Sequence, residues 1–161
     1  MAVSAEAEIP SQFGISAVVT GATGGLGYEM ALALARAGAE VILTGRDDRK
    51  GLSAIEKIHR EVSCARISYE PLDLSNLASI ADFSQRTKSR QSLDLLINNA
   101  GVMALPRRQV TADGFEMQFG TNLSGSLCSH GSPDAIVAPG ERATGSECQQ
   151  PGPPSCVHRF R

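Results

Sequence analysis

The run Thr20-Gly21-Ala22-Thr23-Gly24-Gly25-Leu26-Gly27 places four glycines within seven positions. A short apolar, β-branched stretch at 15–20 precedes it. After it, over 28–37, Met30, Leu34 and Ala37 recur at helical spacing. Strand, glycine-rich turn, helix is the arrangement in which such a run carries meaning. Glycine lets the backbone approach a ligand closely, and the first helical turn offers free N–H groups at the positive end of the helix dipole. A pyrophosphate suits that geometry. A tight turn with no ligand is the plainer reading of the same residues.

The alternation continues. Gly38 is placed to end the first helix. Val41 to Thr44 forms a second apolar run, and Asp47 can cap a helix reaching about residue 62, with Leu52, Ile55 and Ile58 on one face. A third strand spans 66–72. Ser75 caps a third helix through Ile80 and Phe83, 93–97 reads as a fourth strand, and 111–123 as a fourth helix. Strands separated by helices pair in parallel through right-handed crossovers, and apolar runs without alternation are buried on both faces. The expected fold is α/β: four strands of a doubly wound parallel sheet, order 3-2-1-4, part of a Rossmann fold.

Composition divides the chain. Of 16 Gly and 8 Pro, residues 1–124 hold 11 Gly and 3 Pro, while the last 37 residues hold 5 of each. Three of the 4 Cys also lie in that last stretch. Proline removes donors and fixes φ, and few large apolar residues are present to offset ordering entropy. Residues 1–125 therefore read as one folded unit and 126–161 as a disordered tail. The net charge of −2 gives no footprint for nucleic acid, and no run is long enough to cross a membrane. The acidic N-terminus matches no signal or transit peptide, so a soluble, cytoplasmic protein is expected. The Cys and His residues show no metal-ligand spacing, so no metal site is expected.

Three further segments sit where a sheet of this kind binds ligands, at the carboxyl ends of its strands. After the second strand stands Thr44-Gly45-Arg46, where NAD-preferring folds place an acidic residue. Arg46 can instead pair with a 2′-phosphate, which favours NADP(H) over NAD(H). It also reads as a solvated surface Arg beside Asp47 and Asp48. After the third strand, Asp73 can accept from an adenine amino group or cap a helix. After the fourth comes Asn98-Asn99-Ala100-Gly101, whose amides and glycine suit a crevice wall.

Taken in order, these motifs resemble the short-chain dehydrogenase/reductase family over roughly residues 10–125. The glycine run fits two of the family's patterns, and Asn-Asn-Ala-Gly favours the single-domain dehydrogenases. Asp113 to Asn122 (DGFEMQFGTN) resembles the branch of retinol dehydrogenase-like and protochlorophyllide reductase-like enzymes. The resemblance implies an oxidoreductase moving a hydride between a nicotinamide dinucleotide and a small-molecule carbonyl or alcohol. It implies a cofactor site of Gly21, Thr23, Gly24, Gly25, Leu26, Gly27, Arg46, Asp73, Leu74, Asn99, Ala100 and Gly101. Asn122 would match the helix Asn that holds a water in the family's proton relay. On its own residues, Asn122 also reads as a polar side chain on a solvated helix face. The segment 102–108 is too short to identify a substrate, and nothing fixes an oligomeric state.

The family's general acid is a Tyr with a Lys four residues on, because a phenol near pKa 10 needs a nearby cation to work near neutrality. Tyr28 is followed four residues on by Leu32, and Tyr69 by Asp73; the only Lys are Lys50, Lys57 and Lys88. The family's Ser is missing too. The resemblance stops at Gly125, and back-translated codons read one base later can encode a continued helix and a strand ending in a Ser pair. A frame change is thus the expected origin of 126–161. It fails if the gene's codons there cannot encode that peptide. Three functions follow: an oxidoreductase by lineage whose present chain is inactive, a non-catalytic nucleotide-binding fragment, or a truncated product without function. In the last two, an uncovered fourth-strand edge would expose backbone groups and favour aggregation.

Overall fold

The computed structural model describes residues 9–88, 93–124 and 156–159. Four strands run in parallel: β1 (Ser16–Val19), β2 (Glu40–Gly45), β3 (Arg66–Pro71) and β4 (Leu95–Asn98). Their order is the expected β3-β2-β1-β4, the partial Rossmann sheet. Val18 sits level with Ile42 of β2 and Leu96 of β4, and Leu43 level with Tyr69 of β3.

Successive residues of a strand point to opposite faces. Ala17, Val19, Val41 and Leu43 therefore pack on one side, against Leu34 and Ala35 of α1 (Gly25–Arg36) and Ala54 and Ile58 of α2 (Asp48–Glu61). Val18, Ile42 and Leu96 pack on the other, against Ile80 and Phe83 of α3 (Leu77–Lys88). Val18 and Val19 are both fully buried, as a strand covered on both faces requires. Asp47 caps α2 as expected, accepting from the Lys50 N–H at 3.1 Å.

The structure departs from the sequence reading in five places. First, α1 starts at Gly25 rather than 28, so the last glycines of the run form its first turn. Second, Leu52 is 58% exposed, because Gly51, Ala54 and Ile58 form the buried face of α2. Third, Asn76 caps α3 in place of Ser75. Asn76 Oδ1 accepts from the Ala78 N–H at 2.9 Å, while Asp73 Oδ1 captures the Ser75 hydroxyl at 2.6 Å.

Fourth, residues 111–116 are not helical. Val110 and Glu116 form an antiparallel bridge, and Gly114 turns the chain between them at φ 86. Helix α4 is only Met117–Phe119 and continues as a π-helical turn, Gly120–Ser124. Glu116 starts it by accepting from the N–H groups of Gln118 and Phe119, which hold its carboxyl below the ordinary range. Fifth, Cys156–Arg159 forms a strand, β5, antiparallel to β4, inside the stretch read as disordered. The β4 edge presents a ladder of N–H and C=O groups, and Cys156–Arg159 pairs with it. The edge read as uncovered thus carries a partner strand. The remainder of 126–161 lies outside the described residues.

Candidate functional site

The sheet order reverses at β1, which lies between β2 and β4. In open α/β sheets the ligand crevice opens at such a switch point, beyond the carboxyl ends of the strands. A cleft of ≈ 240 Å³ lies there, lined by Thr20, Gly21, Thr23, Thr44, Gly45, Arg46, Leu72, Asp73, Leu74, Ala100, Gly101, Val102 and Thr121. Its volume is below the roughly 300–1,000 Å³ of a complete small-molecule pocket. It matches part of an extended ligand better than the whole.

Seven of the residues named from sequence stand on that wall: Gly21, Thr23, Arg46, Asp73, Leu74, Ala100 and Gly101. Gly24, Gly25, Leu26 and Gly27 form the adjoining turn and the start of α1. Gly24 and Gly25 face open space where side chains would stand. No side chain caps α1 and no acidic residue occupies its first turn, so its leading N–H groups lack a side-chain acceptor. An open glycine cradle under an uncapped helix start fits a phosphate-bearing ligand.

Gly27 and Asn99 lie behind the cleft and shape it. An added Cβ at Gly27 would collide with the Asn99 amide nitrogen and stand 2.7 Å from the Gly21 carbonyl oxygen. That close approach lets Asn99 Nδ2 donate to the carbonyl oxygens of Thr20 (2.9 Å) and Gly21 (3.4 Å). The Thr20 hydroxyl completes the seam. It accepts from the N–H groups of Asn99 and Ala100, each at 3.0 Å, and donates to the Ile97 carbonyl at 3.3 Å. Two strand ends far apart in sequence are thereby fixed together.

Asn122 lies off the cleft wall. Its Oδ1 accepts from the Val102 N–H at 2.8 Å and its Nδ2 donates to the Val102 carbonyl at 2.9 Å. The side chain clamps the segment after Gly101, which lies beside it.

Arg46 is exposed and makes no hydrogen bond or ion pair among the described residues, so its charge is available to a ligand. Asp73 Oδ1 accepts from both the Ser75 N–H and hydroxyl. Sequence reasoning missed Thr20, Thr44, Gly45, Leu72, Val102 and Thr121. Their only signal is adjacency to the named motifs.

Neither tyrosine is prepared for acid–base work near neutrality. Burial, then the nearby Glu61 and Glu29 carboxylates, raises the Tyr28 phenol. Burial, then the Asp48 carboxylate facing its hydroxyl, pushes Tyr69 up to about 12. Among the described residues no cluster of His, Cys, Asp and Glu could hold a metal, and no helix is long and apolar enough to cross a membrane.

The short chain dehydrogenase family profile matches residues 16–132, past the Gly125 boundary read from sequence. A Danio rerio polyprenol dehydrogenase is 41% identical over 119 residues, covering 73% of this chain and 36% of the relative. A Mus musculus retinol dehydrogenase 13 is 43% identical over 125 residues, covering 77% and 36%. The structure of a metagenomic short-chain oxidoreductase in complex with NADP superposes with a TM-score of 0.63 at 30% identity, covering 74% of this chain and 54% of that one. The chain thus spans little more than a third of the curated relatives' length. Its sheet order, glycine turn and sequence matches agree: the chain belongs to the short-chain dehydrogenase/reductase family, in its retinol dehydrogenase-like branch.

Proposed function

We propose that this chain binds the phosphate-rich, adenosine side of a nicotinamide dinucleotide, NADP(H) in preference to NAD(H), and derives from an oxidoreductase acting on a small carbonyl or alcohol. One observation carries the reading: an open glycine cradle, the uncapped start of α1 and the unpaired Arg46 stand around one cleft at the switch point. The N–H groups of α1 would hold the pyrophosphate. Arg46 would take the 2′-phosphate through charge-assisted hydrogen bonds. Asp73 and Leu74 would border the adenine, and Ala100 and Gly101 the continuing ribose. The NADP complex of the structural relative supports that cofactor class.

The bound nicotinamide would supply hydride transfer. The residues that would move the proton are not in this sequence, since no Tyr is followed four residues on by Lys. For residues 1–161 taken alone we therefore propose the second reading, nucleotide binding without catalysis, and keep the oxidoreductase reading for the lineage.

Titration of the purified chain with NADPH, followed by nucleotide fluorescence, tests this. One-site saturable binding, tighter than for NADH and without oxidation of NADPH by added ketones or aldehydes, is the expected result. Absence of saturation leaves the third reading, a product without function. Robust carbonyl reduction contradicts the claim of inactivity.

A further inference from the structure

We infer that Tyr69 is a positioning residue for cofactor discrimination: its hydroxyl locks the Gly45 carbonyl and so fixes the peptide plane from which Arg46 departs. The inference rests on the reading that Arg46 meets a 2′-phosphate.

The Gly45 carbonyl oxygen accepts two hydrogen bonds from β3 and the residue after it. One comes from the Leu72 N–H at 2.9 Å and the other from the Tyr69 hydroxyl at 2.8 Å. A carbonyl oxygen has two lone pairs, so both are engaged. The Gly45 C=O and the Arg46 N–H belong to one planar trans peptide. Fixing the oxygen fixes the N–H on the opposite side and the line along which the Arg46 Cα leaves.

Arg46 has no hydrogen-bonding or charged partner of its own among the described residues, so its backbone sets the reach of its guanidinium. The other side of Gly45 is closed as well, because an added Cβ there would stand 2.7 Å from Cγ2 of Thr23. Gly45 is wedged between the glycine turn and Tyr69.

The seat of the ring is built for it. Tyr69 packs partly buried against the core cluster of α1 and α2. An added Cβ at Gly51 of α2 would collide with the Tyr69 ring. Glycine is unfavourable inside a helix, and here its missing side chain makes room for the aromatic. Tyr69 thus carries a role in binding although it lies off the cleft wall and is no catalytic acid.

The test is the ratio of NADPH to NADH dissociation constants for the wild-type chain, Tyr69→Phe, Gly51→Ala, Arg46→Ala and the Tyr69→Phe/Arg46→Ala double variant, with melting curves for each. Tyr69→Phe keeps the ring and removes only the hydroxyl. It is expected to weaken NADPH binding roughly three- to tenfold, the range of one neutral hydrogen bond, with NADH within about twofold. Gly51→Ala shifts the ring and is expected to raise that ratio of dissociation constants in the same direction as Tyr69→Phe. In the Arg46→Ala background, Tyr69→Phe should leave the ratio unchanged. Equal weakening of both nucleotides by Tyr69→Phe, or no weakening, overturns the inference while an effect of Arg46→Ala leaves the 2′-phosphate reading intact. An unchanged ratio in Arg46→Ala overturns that reading itself.

Discussion

Replacing Arg46 with Ala is expected to weaken NADPH binding roughly ten- to hundredfold while leaving NADH binding within about twofold. A hydrogen bond to a charged group contributes about 1.5–3 kcal/mol, and tenfold in affinity corresponds to about 1.4 kcal/mol. The upper part of that range applies where the guanidinium engages the phosphate bidentately. NADH has no 2′-phosphate, so the loss should not extend to it. Arg46→Lys keeps the charge without the fork and should recover only part of the affinity. Parallel calorimetric titrations with the two nucleotides measure the effect. A common decrease for both would place Arg46 outside 2′-phosphate recognition.

Gly27→Ala is expected to destabilise the fold by roughly 2–3 kcal/mol and to abolish measurable NADPH binding. The added methyl collides with the Asn99 amide and stands 2.7 Å from the Gly21 carbonyl oxygen. Crowding a packed position costs roughly 1–3 kcal/mol, and losing the Asn99 hydrogen bond costs about 1 more. The better helix propensity of Ala returns roughly 0.5–1 kcal/mol. Gly24→Ala separates stability from binding. Gly24 has an extended backbone at φ 178, and its added Cβ meets nothing within 4 Å. That variant should keep its stability within roughly 0.5 kcal/mol, as a substitution clear of packing does, yet bind NADPH poorly because the methyl stands in the cradle. Urea denaturation beside nucleotide titration checks both. A Gly27→Ala protein as stable as wild type would contradict the described seam between β1 and β4.

These two glycines show what the sequence could convey. The glycine run announced a turn and a close approach, but not which glycine faces a ligand and which faces Asn99. That difference depends on β4 lying beside β1, a contact between distant parts of the chain. Strands β1, β2 and β4 were legible because each is an apolar run, and α2 because Asp47 caps it. The start of α4 was not. The turn around Gly114 depends on the Val110–Glu116 bridge, which competes with the helical spacing of 111–123. β5 was illegible for a related reason, since its partner is the β4 edge rather than anything local.

The same holds for the site. Gly21, Arg46, Asp73 and Ala100 could be placed at the cleft because strand ends carry recognisable motifs. The resemblance implied a relay role for Asn122; the contact no motif states is that its side chain spans the Val102 backbone on both polar groups. Tyr69 was weighed only as a failed acid. Its bond to the Gly45 carbonyl follows from the side-by-side pairing of β2 and β3, which no motif states.

Nucleotide binding at the switch-point cleft is tested most directly by an amide-resolved NMR titration of the chain with NADPH. Saturable shifts are expected, confined to the turn at Gly24 to Gly27, to Arg46 and its neighbours, and to Asp73, Leu74, Ala100 and Gly101. Shifts that never saturate, or that fall on the outer faces of α2 and α3 and leave the glycine turn unmoved, would contradict it.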